Sequence, residues 1–130
     1  MKKNFAAWVF VGISVLCPLW VQPAAMAAGP AATVEMNDEM RFVPDRITIR
    51  PGDSVEWKNV SRQVHTVTAD PKWATSPQNV QLPDGAGPFD SGDIPPGKTY
   101  RRDFTVPGTY RYFCIPHQAS GMIGEITVKP

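Results

Sequence analysis

The side chains best suited to chemistry lie in one short segment near the end of the chain. The segment reads Cys114-Ile-Pro-His117-Gln-Ala-Ser-Gly-Met122, so a thiol, an imidazole and a thioether occur within nine residues. All three groups are ligands for transition metals, and the two sulfur donors favour soft ions. The spacing therefore predicts a metal site for which a single loop supplies three ligands.

A second imidazole is available from His65, which is the only other histidine of the sequence. A thiolate and two imidazoles in one plane, with a weak thioether on the axis, make a type 1 copper site. Met36 and Met40 are alternatives for the axial position, and the spacing favours Met122. The predicted ligands of one copper ion are His65, Cys114, His117 and Met122.

Zinc is the competing metal, because zinc also takes cysteine and histidine ligands. A thioether is a poor ligand for zinc, so Met122 argues for copper. Taken singly, each of these residues would more often have a structural role, since a buried cysteine is usually inert and a methionine usually fills gaps in a core. The prediction therefore depends on the four side chains occurring together.

Short runs of alternating residues, separated by turns rich in proline and glycine, predict the elements that would hold this site. The pattern is typical of an all-β sandwich or barrel. Cys114 would then end a strand and His65 would lie within one, while His117 and Met122 would lie on a connecting loop. Strands are expected over residues 33–36, 40–43, 46–50, 54–58, 64–68, 98–106, 109–114 and 123–129.

Residues 70–93 show no such periodicity and contain several prolines. A loop of this length is unusual in a compact domain. We expect a surface flap over one edge of the sandwich, with a short helix near Trp73 or a strand over residues 79–82. The alternative hypothesis is a surface on which a partner docks.

Residues 1–27 have the pattern of a secretory signal. Lys2 and Lys3 precede an apolar stretch over residues 5–21, and Ala25-Met-Ala27 is a cleavage motif of the small-x-small type. We expect cleavage after Ala27, which leaves residues 28–130 as a single domain. An uncleaved membrane anchor is the alternative.

The charge of the shortened chain restricts the class of partner. Loss of two lysines would leave 11 of the 13 basic residues against 12 acidic residues, so the net charge would be close to zero. A nucleic-acid-binding protein would carry a basic stripe, and none is expected here. Cys114 would be the only remaining cysteine, so no internal disulfide could form, and metal binding would explain an unpaired thiol in an exported protein.

These motifs resemble those of the cupredoxins, and most closely those of the plastocyanin-like group. The resemblance is carried by Cys-x-Pro-His-Gln and Gly-Met-x-Gly before the final strand, by His65-Thr-Val and by Phe89-Asp-Ser-Gly. It implies a Greek-key β-sandwich of about 7–8 strands with little helix, and a copper site near one end. By motif match it gives the ligand roles to the four residues named above.

The sequence also departs from the plastocyanin-like pattern. Thr66 stands where plastocyanins usually have an asparagine whose side chain helps to tie the two ligand-bearing loops together, and a hydroxyl could do part of that work. Phe113 stands where plant plastocyanins have tyrosine. The sequence has no concentrated acidic cluster, so docking through an acidic patch is not expected.

The resemblance implies a diffusible one-electron carrier rather than an enzyme. Copper would cycle between Cu(I) and Cu(II), with electrons passing through the exposed edge of His117. Pro116 and Ala119 would form a small apolar surface beside that ring, where redox partner proteins would approach. The alternatives are a copper-delivery or storage protein and the electron-transfer subunit of a larger copper enzyme. The Cys114 thiol argues against the first, and the shortage of histidines argues against an independent copper enzyme.

The predicted leader also sets expectations for location and assembly. We expect an exported monomer without a membrane span once the leader is removed. The periplasm is the expected compartment, or the thylakoid lumen if the host is photosynthetic. The donor and the acceptor of the electron are not specified by the sequence.

Overall fold

The computed structural model of the protein describes residues 28–130. The predicted signal sequence and its cleavage point, residues 1–27, lie outside the described residues. Within the described part of the chain, no helix is both long enough and apolar enough to cross a membrane.

Residues 28–130 form a sandwich of two β-sheets. Nine strands are present, one more than the upper end of the expected range, because three two-residue strands (β2, β5 and β6) complete the sheets. In chain order the strands are β1 (Ala32–Met36), β2 (Phe42–Val43), β3 (Arg46–Ile49), β4 (Asp53–Asn59), β5 (Thr68–Ala69), β6 (Phe89–Asp90), β7 (Thr99–Phe104), β8 (Gly108–Phe113) and β9 (Ile123–Val128).

The strand order shows how the chain passes between the sheets. One sheet has the order β2-β1-β4-β7 and the other has the order β3-β9-β8-β5-β6. The β1–β4 and β3–β9 pairs are parallel, whereas the remaining pairs are antiparallel. Many neighbouring strands are therefore not consecutive in sequence, as expected for the predicted Greek-key sandwich.

Aromatic side chains fill the space between the two sheets. Trp57 on β4 and Tyr112 on β8 are both buried and meet edge to face, with ring centroids 5.5 Å apart. The Trp57 indole N–H also donates to the Tyr112 hydroxyl, so the polar atoms of this pair are satisfied in the core. Because side chains alternate along a strand, Tyr110 and Tyr112 face the core and Cys114 continues the same inward series.

The segment that carries His65 differs from the strand predicted over residues 64–68. Only Thr68 belongs to β5, and His65 pairs with Ile94 through an isolated β-bridge. The reason is local: the Gln63 carbonyl accepts hydrogen bonds from the side chains of Asn59 (2.7 Å) and Ser61 (3.2 Å) rather than from a backbone N–H group, and backbone pairing is confined to the bridge between His65 and Ile94.

The flap over residues 70–93 contains more local structure than its composition suggests. A 3₁₀ turn over Pro71–Trp73 confirms the short helix expected near Trp73, and a second turn covers Pro77–Asn79. The strand considered for residues 79–82 is reduced to a bridge between Gln81 and Arg111. The flap then ends in β6, the outermost strand of its sheet.

Candidate metal centre

The structure brings three of the sequence-predicted ligands together at one end of the sandwich. The Cys114 sulfur lies 3.3 Å from His117 Nδ1 and 3.6 Å from His65 Nδ1. The two Nδ1 atoms are 3.2 Å apart. Three soft or borderline donor atoms therefore converge on one point from two distant parts of the sequence.

These separations can be compared with those that a metal ion requires. Bonds of about 2.0 Å to nitrogen and about 2.3 Å to sulfur, arranged in a plane around a metal, separate the ligand atoms by roughly 3.5 to 3.7 Å. The ligand atoms of His65, Cys114 and His117 all lie within 4.8 Å of one another. The cluster is thus close to the size of a metal-binding triangle, and it is compatible with a single type 1 copper ion.

The loop from Cys114 to Met122 is fixed by its own backbone. Residues Ile115–Ser120 form two short 3₁₀ turns that meet at a kink at His117 (φ −121°, ψ 20°), and the second turn ends at Gly121 with a left-handed φ of 72°. The Cys114 N–H donates to the Met122 carbonyl (3.1 Å), and the Met122 N–H donates to the His117 carbonyl (3.3 Å). These bonds bring the backbone of the buried Met122 next to that of Cys114.

His65 is held by a network of polar side chains. Ser61 Oγ lies 2.9 Å from His65 Nε2, on the side of the ring away from Cys114. The Ser61 hydroxyl is 2.7 Å from Asn59 Oδ1, to which it can donate, and it accepts from the Gln63 N–H (3.1 Å). The imidazole is therefore oriented from behind by buried groups, in the manner of the outer-shell partners of metal-binding histidines.

Thr66 joins the two ligand-bearing segments. Its backbone N–H donates to the Cys114 sulfur (3.3 Å), and its hydroxyl oxygen accepts from the Ile115 N–H (2.8 Å). The hydroxyl thus makes a bond between the segments at the position where plastocyanins usually carry asparagine.

Burial shifts the protonation equilibria of all three clustered groups. It lowers the pKa of His65, and the charge of His117 lowers it further. Burial also lowers the pKa of His117 and raises the pKa of the Cys114 thiol. Neutral imidazoles are the ligand form, whereas a metal ion would have to displace the proton of the thiol.

The four predicted ligands differ in their access to solvent. His65, Cys114 and Met122 have no exposed surface. His117 is half-buried, and its chain neighbour Pro116 and nearby Ala119 are exposed. The His117 imidazole is therefore the only one of these four side chains that reaches the protein surface.

A second network, which was not predicted from the sequence, connects Gln118 of the ligand loop to the flap. The side-chain oxygen of Gln118 accepts from the Thr75 N–H (2.9 Å) and from the Asn79 side chain (3.0 Å). Its side-chain NH₂ group donates to the Trp73 carbonyl (2.9 Å). Asn59 and Ser61 were missed in the same way. Gln118 and Ser61 are common polar residues in segments where no periodicity distinguishes a buried side chain from an exposed one, and Asn59 is the polar residue that ends β4.

Comparisons with known proteins agree with this geometry. A plastocyanin of Scenedesmus fuscus is 35% identical over 88 residues, which are 68% of this chain and 86% of that protein. A plastocyanin of the fern Dryopteris crassirhizoma is 33% identical over 103 residues and is covered over its full length, with 75% of this chain.

Solved structures show the same architecture. A mutant fern plastocyanin superimposes with a TM-score of 0.57 at 27% identity, covering 75% of this chain and 99% of that one. The Cu(I) form of an amicyanin mutant gives a TM-score of 0.61 at 26% identity, covering 81% and 88%. The family model for copper binding proteins of the plastocyanin/azurin family matches residues 29–129. The chain therefore belongs to the plastocyanin/azurin family of copper-binding proteins.

Proposed function

We propose that the protein is a one-electron carrier that holds a mononuclear type 1 copper ion. The residues that would hold the ion are His65, Cys114, His117 and Met122. The observation that carries the proposal is the convergence of one thiol and two imidazole nitrogens in a buried site of which a single imidazole reaches the surface. When bound, copper supplies a Cu(I)/Cu(II) couple.

The hydrogen bond between Ser61 and His65 favours the tautomer of the His65 ring that can bind a metal. A metal at Nδ1 requires the proton on Nε2, and Ser61 Oγ lies 2.9 Å from Nε2, where it can accept that hydrogen. The Ser61 hydroxyl hydrogen has its own acceptor in Asn59 Oδ1 at 2.7 Å. The network therefore favours the tautomer that leaves the Nδ1 lone pair directed at the site.

The protein also limits how far the ligands can move. His65 is fixed by buried side chains, the loop from Cys114 to Met122 is fixed by its backbone bonds, and Thr66 joins the two. A ligand set held in one geometry needs little rearrangement when its charge changes, and this suits rapid electron transfer.

His117 provides the route to a partner. Its half-buried ring has Nδ1 3.3 Å from the buried Cys114 sulfur, and Pro116 and Ala119 on either side of it in the sequence are exposed. A redox protein with an apolar contact face could approach this edge without disturbing the site. The chain has two histidines, both assigned as ligands, so none remains for a second copper at which a substrate could bind. This count supports a carrier rather than an enzyme.

We propose further that the chain is exported and acts as a monomer of residues 28–130. The basic, apolar and small-x-small pattern of residues 1–27 supports cleavage by a signal peptidase. The proposed compartment is the periplasm, or the thylakoid lumen in a photosynthetic host. Mass spectrometry of the protein purified from its host would show Ala28 as the first residue, and an intact leader would contradict the proposal.

Electron carriage is tested by spectroelectrochemical titration of the copper-loaded protein. We expect a reversible one-electron wave with a single midpoint, and the same spectrum after repeated cycles. Copper that is lost on reduction, or that cannot be reoxidised, would indicate delivery or storage instead.

A further inference from the structure

Three side chains form a chain of hydrogen bonds that leads from the ligand loop to the flap. The Ile115 N–H donates to Thr66 Oγ1 (2.8 Å), Thr66 Oγ1 lies 2.9 Å from Thr68 Oγ1, and the Thr68 hydroxyl donates to Asp90 Oδ1 (2.9 Å). Thr66 and Thr68 are buried, whereas Asp90 lies on β6 at the edge of the sheet. The chain of bonds therefore connects an exposed carboxylate to the residue that follows Cys114.

The direction of each bond follows from counting hydrogens. A carboxylate oxygen can only accept, so the single hydroxyl hydrogen of Thr68 points to Asp90. Thr68 can then only accept from Thr66, whose hydroxyl hydrogen is used in that bond. The Thr66 oxygen is left as an acceptor, and the Ile115 N–H, which can only donate, points at it. Every hydrogen in the chain has one position.

We infer that Thr68 and Asp90 are positioning residues for the metal centre, acting through Thr66. This inference rests on the proposed function. Asp90 fixes the hydroxyl of Thr68, Thr68 fixes the hydroxyl of Thr66, and Thr66 holds Ile115 on one side and the Cys114 sulfur on the other. Asp90 is held in turn by the Gly92 N–H, which donates to the same Oδ1 atom (3.1 Å).

The hydrogen bond from Thr66 to the Cys114 sulfur should shift the reduction potential of the site in a definite direction. The Thr66 N–H that points at Cys114 draws charge from the thiolate, which weakens its donation to Cu(II) and favours Cu(I). If Thr68 no longer orients Thr66, this bond loosens. The chain of hydrogen bonds from Asp90 through Thr68 and Thr66 to Ile115 is here called the relay. Loss of the relay therefore lowers the reduction potential of the site.

The metal-free protein gives the first test, through hydrogen exchange at the Ile115 amide. Thr68→Val keeps the shape of the side chain but removes the hydroxyl, and we expect the Ile115 N–H to exchange roughly five- to tenfold faster, as for the loss of one modest hydrogen bond. Thr68→Ser restores the hydroxyl and should leave the exchange rate unchanged. Equal protection in the Val variant would overturn the relay.

The copper-loaded protein gives the second test, through the reduction potential. Thr68→Val and Asp90→Ala should both lower it, whereas Thr68→Ser and Asp90→Asn, which keep a hydroxyl and an acceptor oxygen, should not. Asp84→Ala is the charge control, since Asp84 is an exposed carboxylate of the same flap with no hydrogen bond to the residues described here. The reduction potential of the Asp84→Ala variant should equal that of the wild-type protein.

A double variant separates a relay from an independent effect. In a Thr66→Val background, Thr68→Val should cause no further shift, because the relay acts only through the Thr66 hydroxyl. Additive shifts would overturn the inference. A blue, reversible wild-type protein whose Thr68→Val variant keeps its potential would contradict the relay alone, whereas a wild-type protein without a reversible couple would contradict the proposed function.

Discussion

The two segments that supply the metal ligands are built on different principles. The loop from Cys114 to Met122 is short, contributes three of the four proposed ligands and is held by its own backbone bonds. The segment from Asn59 to Thr66 contributes one ligand, and buried side chains hold it. The first segment reaches the surface at His117, whereas the second is closed around His65.

This difference assigns separate tasks to two ligands of the same chemistry. His65 has no exposed surface and its ring is oriented by Ser61, so it anchors the site to the sandwich. His117 is half-buried beside the exposed Pro116 and Ala119, so it serves as the contact with a partner.

Added imidazole should restore the blue copper complex when one histidine ligand is removed but not when the other is. In His117→Gly, added imidazole can enter the opened position from solvent, and we expect a blue copper complex to reappear. In His65→Gly the position is closed, and the same imidazole concentration should restore no colour. Visible absorption during titration with imidazole measures both. Equal rescue of the two variants would contradict the distinction between them.

Asn59→Ala should destabilise the fold, because its buried side chain satisfies several polar groups at once. Its buried amide makes two bonds to the carbonyls of Gln63 and Ile94, and its oxygen accepts twice from Ser61. Leaving these buried groups unpaired should cost about 2–4 kcal/mol of unfolding free energy. Urea denaturation of the metal-free protein measures the loss.

Asn37→Ala is the matched control for that variant. The Asn37 side chain accepts one hydrogen bond, from the Arg41 N–H at an exposed turn. Water can replace this bond, so the unfolding free energy should fall by no more than about 1 kcal/mol. Similar losses for Asn59 and Asn37 would show that the buried network contributes little.

Gly121→Ala tests the backbone-held loop. Gly121 has a φ of 72°, and no atom lies within 4 Å of an added Cβ, so the cost is conformational alone. We expect about 1 kcal/mol of destabilisation, and a smaller loss for Gly121→Asn, since asparagine tolerates the left-handed region better. An alanine variant as stable as the wild type would show that the second 3₁₀ turn can end in another way.

Met122→Leu should have the smallest effect on structure. Leucine keeps the volume of a side chain that has no exposed surface, so copper should still bind. The reduction potential should rise, because Cu(II) loses a weak donor. Cyclic voltammetry detects the change, and loss of copper would mean that Met122 binds more strongly than an axial ligand should.

The same contrast explains what the sequence could predict. Alternation along the strands, as in β4 and β8, reflects burial of every second side chain and is visible in a single sequence. The spacing of Cys114, His117 and Met122 is also local, so one loop reveals three candidate ligands. His65 could be added because the chain has no other free histidine.

Two parts of the supporting network could not be predicted, because their bonds join residues far apart in sequence. Asn59 bonds to Ile94 across 35 residues, and Asn79 bonds to Gln118 across 39. No local pattern marks either pair. The strand predicted around His65 was wrong because β-branched neighbours favour a strand, but the side chains of Asn59 and Ser61 bond to the Gln63 carbonyl and backbone pairing is confined to the bridge between His65 and Ile94.

The central claim is that Cys114 and the two histidines bind one copper ion as a type 1 site. The most direct test is to add one equivalent of Cu(II) to the purified protein and record visible absorption together with EPR. We predict an intense blue thiolate-to-copper band with a small copper hyperfine splitting, both lost in Cys114→Ala. A pale complex with an ordinary tetragonal EPR signal would contradict the claim.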